Sequence, residues 1–178
     1  MMPPLLSALY LLVPVIFAGV LHMMAVTWQW FPGLARPIHI RSFGQNKTWR
    51  GLILMPWFCW LGTLCLLPWD RWVPHSPYHH HHMLLAGLAA GLGYVLAELP
   101  NSFLKRRLGI PPGASSNRFK LTFTLLDQTD SGLGVALAYL AVLDLDKATF
   151  VALILGFPLT ALLVKQILYR AHLKDCAR

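Results

Sequence analysis

Charged residues are scarce in this sequence, and acidic residues are the scarcest. Of 178 residues, 12% are charged and 56% are hydrophobic, and Asp and Glu number 7 against 15 Lys and Arg. This composition excludes an ordinary soluble domain and is typical of a polytopic membrane protein. The chain is also too short for two large domains, so we expect a single helical unit over residues 1–178.

Cysteines are few, and internal repeats and alternating strands are missing. Cys59 and Cys65 lie in one apolar segment and Cys176 lies near the C-terminus, which gives neither a disulfide framework nor metal-ligand spacing. No two related halves are visible, although carriers usually have them. No segment alternates as a barrel strand does, and open sheets cannot face lipid, so we expect helical spans.

Five apolar segments are candidates for these spans. A span needs about 20 residues, and the candidates are Pro4–Thr27, Gly51–Leu67, Met83–Ala97, Leu121–Leu143 and Ala148–Val164. The third candidate is short unless it continues through the following ELPNSFL. Its GLAAGLG run predicts close helix packing rather than a phosphate loop, because no strand precedes it.

Basic residues are distributed unevenly between these segments. Thirteen of the 15 follow the first, third or fifth segment, and only Arg71 and Lys147 lie on the other side. The positive-inside rule then predicts five transmembrane helices with the N-terminus outside and the C-terminus in the cytoplasm. In so apolar a chain, the net charge of +8 indicates membrane orientation and not a nucleic-acid partner.

The fourth segment contains two aspartates, Asp127 and Asp130, and no basic residue. On a helix they share one face, about 10 Å along the axis from Lys120. A charge at membrane depth costs roughly 2.5–3.5 kcal/mol on insertion scales, so the pair predicts a polar cavity on the cytoplasmic side. Two carboxylates suit a hard divalent cation, and a helix–helix hydrogen bond between protonated carboxyls is the alternative.

The two long cytoplasmic loops carry cations and hydroxyl groups that suit phosphate. The first contains FGQNKTWRG and the second begins with ELPNSFLKRR. Lys and Arg donate charge-assisted hydrogen bonds to phosphate oxygens, although a Lys-Arg-Arg run beside a membrane is by itself more typical of a lipid-headgroup contact. The residues that we expect around a phosphate are Lys47, Thr48, Arg50, Glu98, Asn101, Ser102, Lys105 and Arg106.

At these motifs the sequence resembles the CDP-archaeol synthase family, within the wider CTP:phosphatidate cytidylyltransferase group. The resemblance rests on GQNKTWRGL, ELPNSFLKRRLGIPPG, LLDQTDSGLG and LYRAHLKD, and covers the chain from about Leu34 to the end. It implies a five-span fold with a cytoplasmic nucleotide cavity, and transfer of CMP from CTP to a lipid phosphate in phospholipid biosynthesis. The lipid would be phosphatidate-like or an isoprenoid glycerol phosphate, in the cell membrane of a prokaryote.

The same resemblance implies a role for each residue of the site. Asp127 and Asp130 would hold Mg²⁺ and would form the catalytic group with Lys105. Glu98 would orient Lys105 or contact the residues that hold the metal. The further contacts to the CTP phosphates would come from Lys47, Thr48, Arg50, Asn101, Ser102 and Arg106.

Two other classes of function stay open. A small ion-coupled transporter could use Asp127 and Asp130 as an ion pathway, although it would leave the phosphate-type loops without a use. A non-catalytic lipid-binding paralogue is the other, because His39 and Gln45 stand where many family members carry acidic residues. The sequence also leaves a homodimer open.

Overall fold

The computed structural model describes residues 2–78, 82–112 and 120–170, and these form a bundle of helices. The helices are α1 (Pro4–Thr27), α2 (Ile40–Phe43), α3 (Trp49–Asp70), α4 (Met83–Arg107), α5 (Lys120–Val142) and α6 (Lys147–Arg170). The prediction of an all-helical protein is confirmed for this part of the chain. Arg118 and the tail after Arg170, on which part of the charge argument rests, lie outside the described ranges.

Four of the helices are long and apolar enough to cross a membrane. They are α1, α3, α4 and the stretch Lys147–Val164 of α6, whereas α5 has a shorter apolar stretch, Thr129–Val142. The α4 helix continues through ELPNSFL to Arg107, so the third segment does reach the length of a span. These four helices indicate a helical membrane protein. That α5 also crosses the membrane, which would make five spans, stays a prediction.

The surface of the bundle is apolar, as contact with lipid requires. Large aliphatic side chains are exposed on all five long helices, among them Leu5, Ile53, Leu85, Leu137 and Leu155. Four of the five exposed tryptophans lie near the helix ends, with Trp28 and Trp49 at one end of the bundle and Trp69 and Trp72 at the other, whereas Trp57 lies within α3. Aromatic side chains at two levels are typical of the two membrane–water interfaces.

Glycines bring α4 into backbone contact with both of its neighbours. A Cβ atom at Gly91 would overlap the α3 backbone at Pro56, which confirms the prediction of close packing from GLAAGLG. On α5, Gly134 touches Gly93, and a Cβ atom on either residue would overlap the carbonyl group of the other. The α4 helix is therefore held close to α3 and to α5.

The loop between α1 and α3 is closed by backbone hydrogen bonds, and this fixes Lys47 at the start of α3. The Ile38 N–H donates to the Lys47 carbonyl at 2.9 Å. Thr48 caps α3, since its hydroxyl oxygen accepts a hydrogen bond from the Gly51 N–H at 3.4 Å. His39 caps the short helix α2 in the same loop, so this residue has a structural role here.

At the opposite end of the bundle, acidic side chains hold loops in place. Asp70 is fully buried and accepts hydrogen bonds from Tyr10, at 3.0 Å, and from Ser76. Asp146 caps α6 by accepting from the Thr149 hydroxyl at 2.5 Å and from the Thr149 N–H at 3.0 Å. The hydrogen bond from the Thr149 hydroxyl group, and to a smaller extent the one from its N–H, hold the pKa of Asp146 below its ordinary value.

Substitution of Gly91 should separate α4 from α3. The Gly91→Ala side chain would overlap the α3 backbone, so we expect a loss of about 1–3 kcal/mol of stability, as at other overpacked positions. The measurement is the Tm of the purified protein in detergent. In the control, Gly19→Ala, no heavy atom lies within 4 Å of the added Cβ, and the Tm should hold or rise. Equal losses in both variants would contradict the packing.

Candidate functional site

One face of α4 carries the polar residues of the site. Tyr94, Glu98, Asn101 and Lys105 follow one another at intervals of four, three and four residues, which is the spacing of a single helix face. The sequence analysis puts Asn101 and Lys105 in a loop, but the helix continues past them. Pro100 lies inside this helix without ending it, as proline can in membrane helices. The helix therefore fixes the spacing of these side chains.

The two aspartates of α5 meet this face of α4. Asn101 Nδ2 donates to Asp127 Oδ1 at 2.7 Å and to Asp130 Oδ2 at 2.8 Å, which confirms that both carboxylates share one face of α5. Lys105 forms an ion pair with Asp127. The lysine side chain is 14% exposed and the aspartate 48% exposed, so the pair lies at the edge of the site that opens to solvent.

Asp130 has hydrogen bonds but no cation among the described side chains. The Ser131 N–H donates to Asp130 Oδ1 at 2.6 Å, and Asn101 binds the other oxygen. Within the described part of the chain, hydrogen bonds stabilise the negative charge of Asp130. Such a carboxylate is open to a cationic ligand in a way that the paired Asp127 is not.

Glu98 joins the aspartates to the loop between α1 and α3. Ser131 Oγ donates to Glu98 Oε1 at 2.9 Å, and Lys47 forms an ion pair with Glu98 Oε2. The ion pairs of the described residues join Lys105 to Asp127 and Glu98 to Lys47, whereas the resemblance implies that Glu98 orients Lys105 or supports the metal site. The start of α3 supplies the cation for Glu98.

These contacts form one continuous set, which we call the polar network. Its members are Lys47, Glu98, Ser131, Asp130, Asn101, Asp127 and Lys105. Sequence reasoning missed Ser131, and it also missed Tyr94, which lies with Glu98 and Ser131 in the wall of one cavity. Helical spacing could have found both, since Tyr94 precedes Glu98 by four residues and Ser131 follows Asp127 by four.

The other expected residues surround the polar network without joining it. Arg50 donates to the Trp30 carbonyl at 3.4 Å, and Arg106 lies beside Gly44. Within the described residues, Arg50 Nε and the Nε and Nη1 atoms of Arg106 are buried without a hydrogen-bond partner. Ser102 is half-buried on α4. The unused guanidinium N–H groups could bind an anion.

Two cavities adjoin the polar network. The basic cavity measures about 490 Å³, and its polar lining includes His22, Asn46, Lys47, Thr48, Arg50 and Glu98. The acidic cavity measures about 130 Å³, and its polar lining includes Tyr94, Glu98, Asp127 and Ser131. The basic cavity has the volume of a small-molecule site, and its cations would attract phosphate. The acidic cavity would attract a cation.

Asp127, Asp130 and Asn101 together offer oxygen atoms for a hard cation. Among the described residues, no three or more His, Cys, Asp or Glu side chains are grouped to hold a metal. Asn101 Oδ1, however, is buried and lacks a hydrogen-bond partner in the described part of the chain. Rotation of the amide group would turn this oxygen toward both carboxylates. The donor set fits Mg²⁺, which binds one or two carboxylates and completes its shell with water and phosphate.

The pairing of Lys47 with Glu98 should appear as a coupling energy. Lys47→Met leaves Glu98 without its cation and Glu98→Gln leaves Lys47 without its anion, while the double variant removes both charges. We expect a coupling of about 1 kcal/mol in the free energy of unfolding, since both side chains are partly exposed. The control combines Lys47→Met with Asp144→Asn at the opposite end, and these effects should add. A coupling near zero for the first pair would contradict the contact.

No protein-family model, no curated protein and no solved structure matches this chain. The resemblance to CDP-archaeol synthases therefore rests on the quoted motifs alone.

Proposed function

We propose that this chain is a CTP-dependent cytidylyltransferase that transfers CMP to a membrane lipid phosphate. The observation that supports this best is the polar network, in which two basic segments and a carboxylate pair meet between apolar helices. Ionisable groups within membrane helices are rare and usually functional. Cations beside a carboxylate pair suit metal-assisted transfer of a phosphorus group. The choice of CTP comes from the resemblance of the motifs.

The CTP phosphates would lie in the basic cavity. Lys47 and Arg50 line it and would donate charge-assisted hydrogen bonds to phosphate oxygens. Thr48 lines the same cavity at the start of α3, where the positive end of the helix dipole favours an anion. Arg106 and Ser102 would add contacts from the last turns of α4.

Asp127 and Asp130 would hold Mg²⁺, with Asn101 Oδ1 as a further oxygen ligand. The ion would neutralise phosphate charge that develops during transfer. Lys105 pairs with Asp127 in this structure. When Asp127 binds a cation, the ammonium group of Lys105 is available to a phosphate oxygen nearby.

The chemistry requires positioning more than proton transfer. An oxygen of the lipid phosphate attacks the α-phosphorus of CTP and forms a P–O bond. The bond from that phosphorus to the bridging oxygen breaks, and pyrophosphate leaves with the electron pair. The attacking phosphate is already an anion near neutral pH, so no side chain must remove a proton. Lys47 and Lys105 would hold the two anions together and reduce their repulsion.

The neutral variant of Asp130 should separate activity from stability. Asp130→Asn removes an anionic ligand, so we expect CMP transfer to fall by about 100-fold or more. It also removes a charge at membrane depth that no cation of the described residues balances, so the Tm should hold or rise. Asp127→Asn should lower transfer similarly, but it leaves Lys105 unpaired, so its Tm should rise less. Both variants are purified, and Tm and transfer are measured over a magnesium titration.

The matched control for these variants is Asp144→Asn, which removes an exposed carboxylate at the opposite end of the bundle. It should change neither quantity. Normal transfer by Asp130→Asn at ordinary magnesium would overturn the metal assignment. Ion movement without release of pyrophosphate would favour the transporter, and lipid binding without transfer would favour the non-catalytic paralogue.

The orientation that we propose places the polar network on the cytoplasmic side, where CTP is available. The N-terminus is then outside, α5 is the fourth of five spans, and the C-terminus is cytoplasmic. In a variant without its native cysteines, Gly33→Cys should react with a membrane-impermeant thiol reagent only after the cells are opened. His75→Cys should react in intact cells. Reaction of both residues from the same side would contradict the topology.

A further inference from the structure

An apolar cleft lies between α1 and α6, next to the two cavities of the polar network. It measures about 130 Å³. Its floor is buried, with Leu12 at 1%, Val15 at 4% and Phe157 at 7% exposure, while Gly19 and Val164 at its rim are half-exposed. The cleft therefore opens toward the lipid-facing surface of the bundle.

The lining of this cleft is apolar except at one end. The Thr160 hydroxyl group lines it but donates to the Phe157 carbonyl at 2.9 Å, so its hydrogen is already used. Tyr94 is the other polar side chain of the lining. Tyr94 also lines the acidic cavity together with Glu98 and Ser131, which belong to the polar network.

The cleft is continuous with the polar network through shared side chains. Tyr94, Phe157 and Ala161 line both the cleft and the acidic cavity. Tyr94 and Met23 line both the cleft and the basic cavity. From Met23 to Leu12 the helix rises about 16 Å, which is about half of a hydrocarbon core of about 30 Å. The cleft thus begins at the charged site and extends through one leaflet.

We infer that this cleft holds one alkyl chain of the lipid phosphate, an inference that rests on the proposed function. Its volume is below that of sites for drug-sized molecules, and a helix would not fit in it. A bilayer chain can enter from the open rim. Because the cleft ends at Tyr94, a lipid seated there would place its phosphate beside the polar network, with the cations of the basic cavity next to it.

Gly19 controls access to the cleft. No heavy atom lies within 4 Å of an added Cβ at this position, so a larger side chain can be accommodated without a clash at the backbone. Gly19→Leu would project into the space that the alkyl chain occupies. The control is Val13→Leu on the same helix, at a position that is 43% exposed and outside the cleft.

The test uses the full chain in lipid nanodiscs and a phosphatidic acid with a diazirine group near the end of one acyl chain. A diacylglycerol with the same diazirine reports contact with bulk lipid. After illumination, mass spectrometry should find Phe157 to Val164 labelled by the phosphate probe in preference to the neutral probe. Gly19→Leu should reduce this preference by at least about fivefold, and Val13→Leu should leave it unchanged. Ala161→Leu is the second blocking variant if Gly19→Leu does not fold.

The result of this labelling test can be distinguished from the result of a test for CMP transfer. Equal labelling by the two probes, or full labelling in both blocking variants, would overturn the inference even if CMP transfer is found. Preferential labelling without CMP transfer from CTP would retain the cleft as a lipid-phosphate site and overturn the cytidylyltransferase. If preferential labelling and CMP transfer are both found, Gly19→Leu should raise the KM for long-chain lipid phosphate and leave the KM for CTP unchanged.

Discussion

A carboxylate among membrane helices must be balanced by a cation or by hydrogen bonds, and the arrangement of α3, α4 and α5 follows from this constraint. Glu98 and Asp127 each have a lysine, while Asp130 has the Asn101 amide and the Ser131 N–H. These contacts require α4 and α5 to lie very close. The glycine contact between Gly93 and Gly134 allows this, little more than one helical turn from Glu98 and Ser131.

The proposed function would use the same contacts to bind a charged ligand. Two lysines are held by carboxylates of the protein, and each could exchange its partner for a phosphate oxygen. The carboxylates released in this exchange would be available to a divalent cation. Attraction between charges is stronger in a partly buried site than in water. An anion that binds the two lysines and a cation that binds the carboxylates would therefore replace the two ion pairs with contacts of similar strength. A nucleotide with its metal ion is such a ligand.

The sequence predicts the helices, and it predicts that the two aspartates share one helix face, because both features depend on local patterns. Hydropathy indicates the spans, and helical spacing puts Asp127 and Asp130 on one face. It leaves open whether α4 continues through Pro100, because proline usually ends a helix in water. It also does not predict the pairing of Lys47 with Glu98, since only the closed loop before α3 brings them together. The cleft between α1 and α6 is likewise a product of packing.

The most direct measurement compares CTP labelled with ³²P at the α-phosphate with CTP labelled at the γ-phosphate. Purified protein is incubated with either nucleotide, magnesium and a long-chain lipid phosphate. If the polar network is the site of CMP transfer, label from the α-phosphate enters the lipid, and label from the γ-phosphate appears only in pyrophosphate, in equal molar amounts. Label from the γ-phosphate in the lipid, or no labelled lipid from either nucleotide, would contradict it.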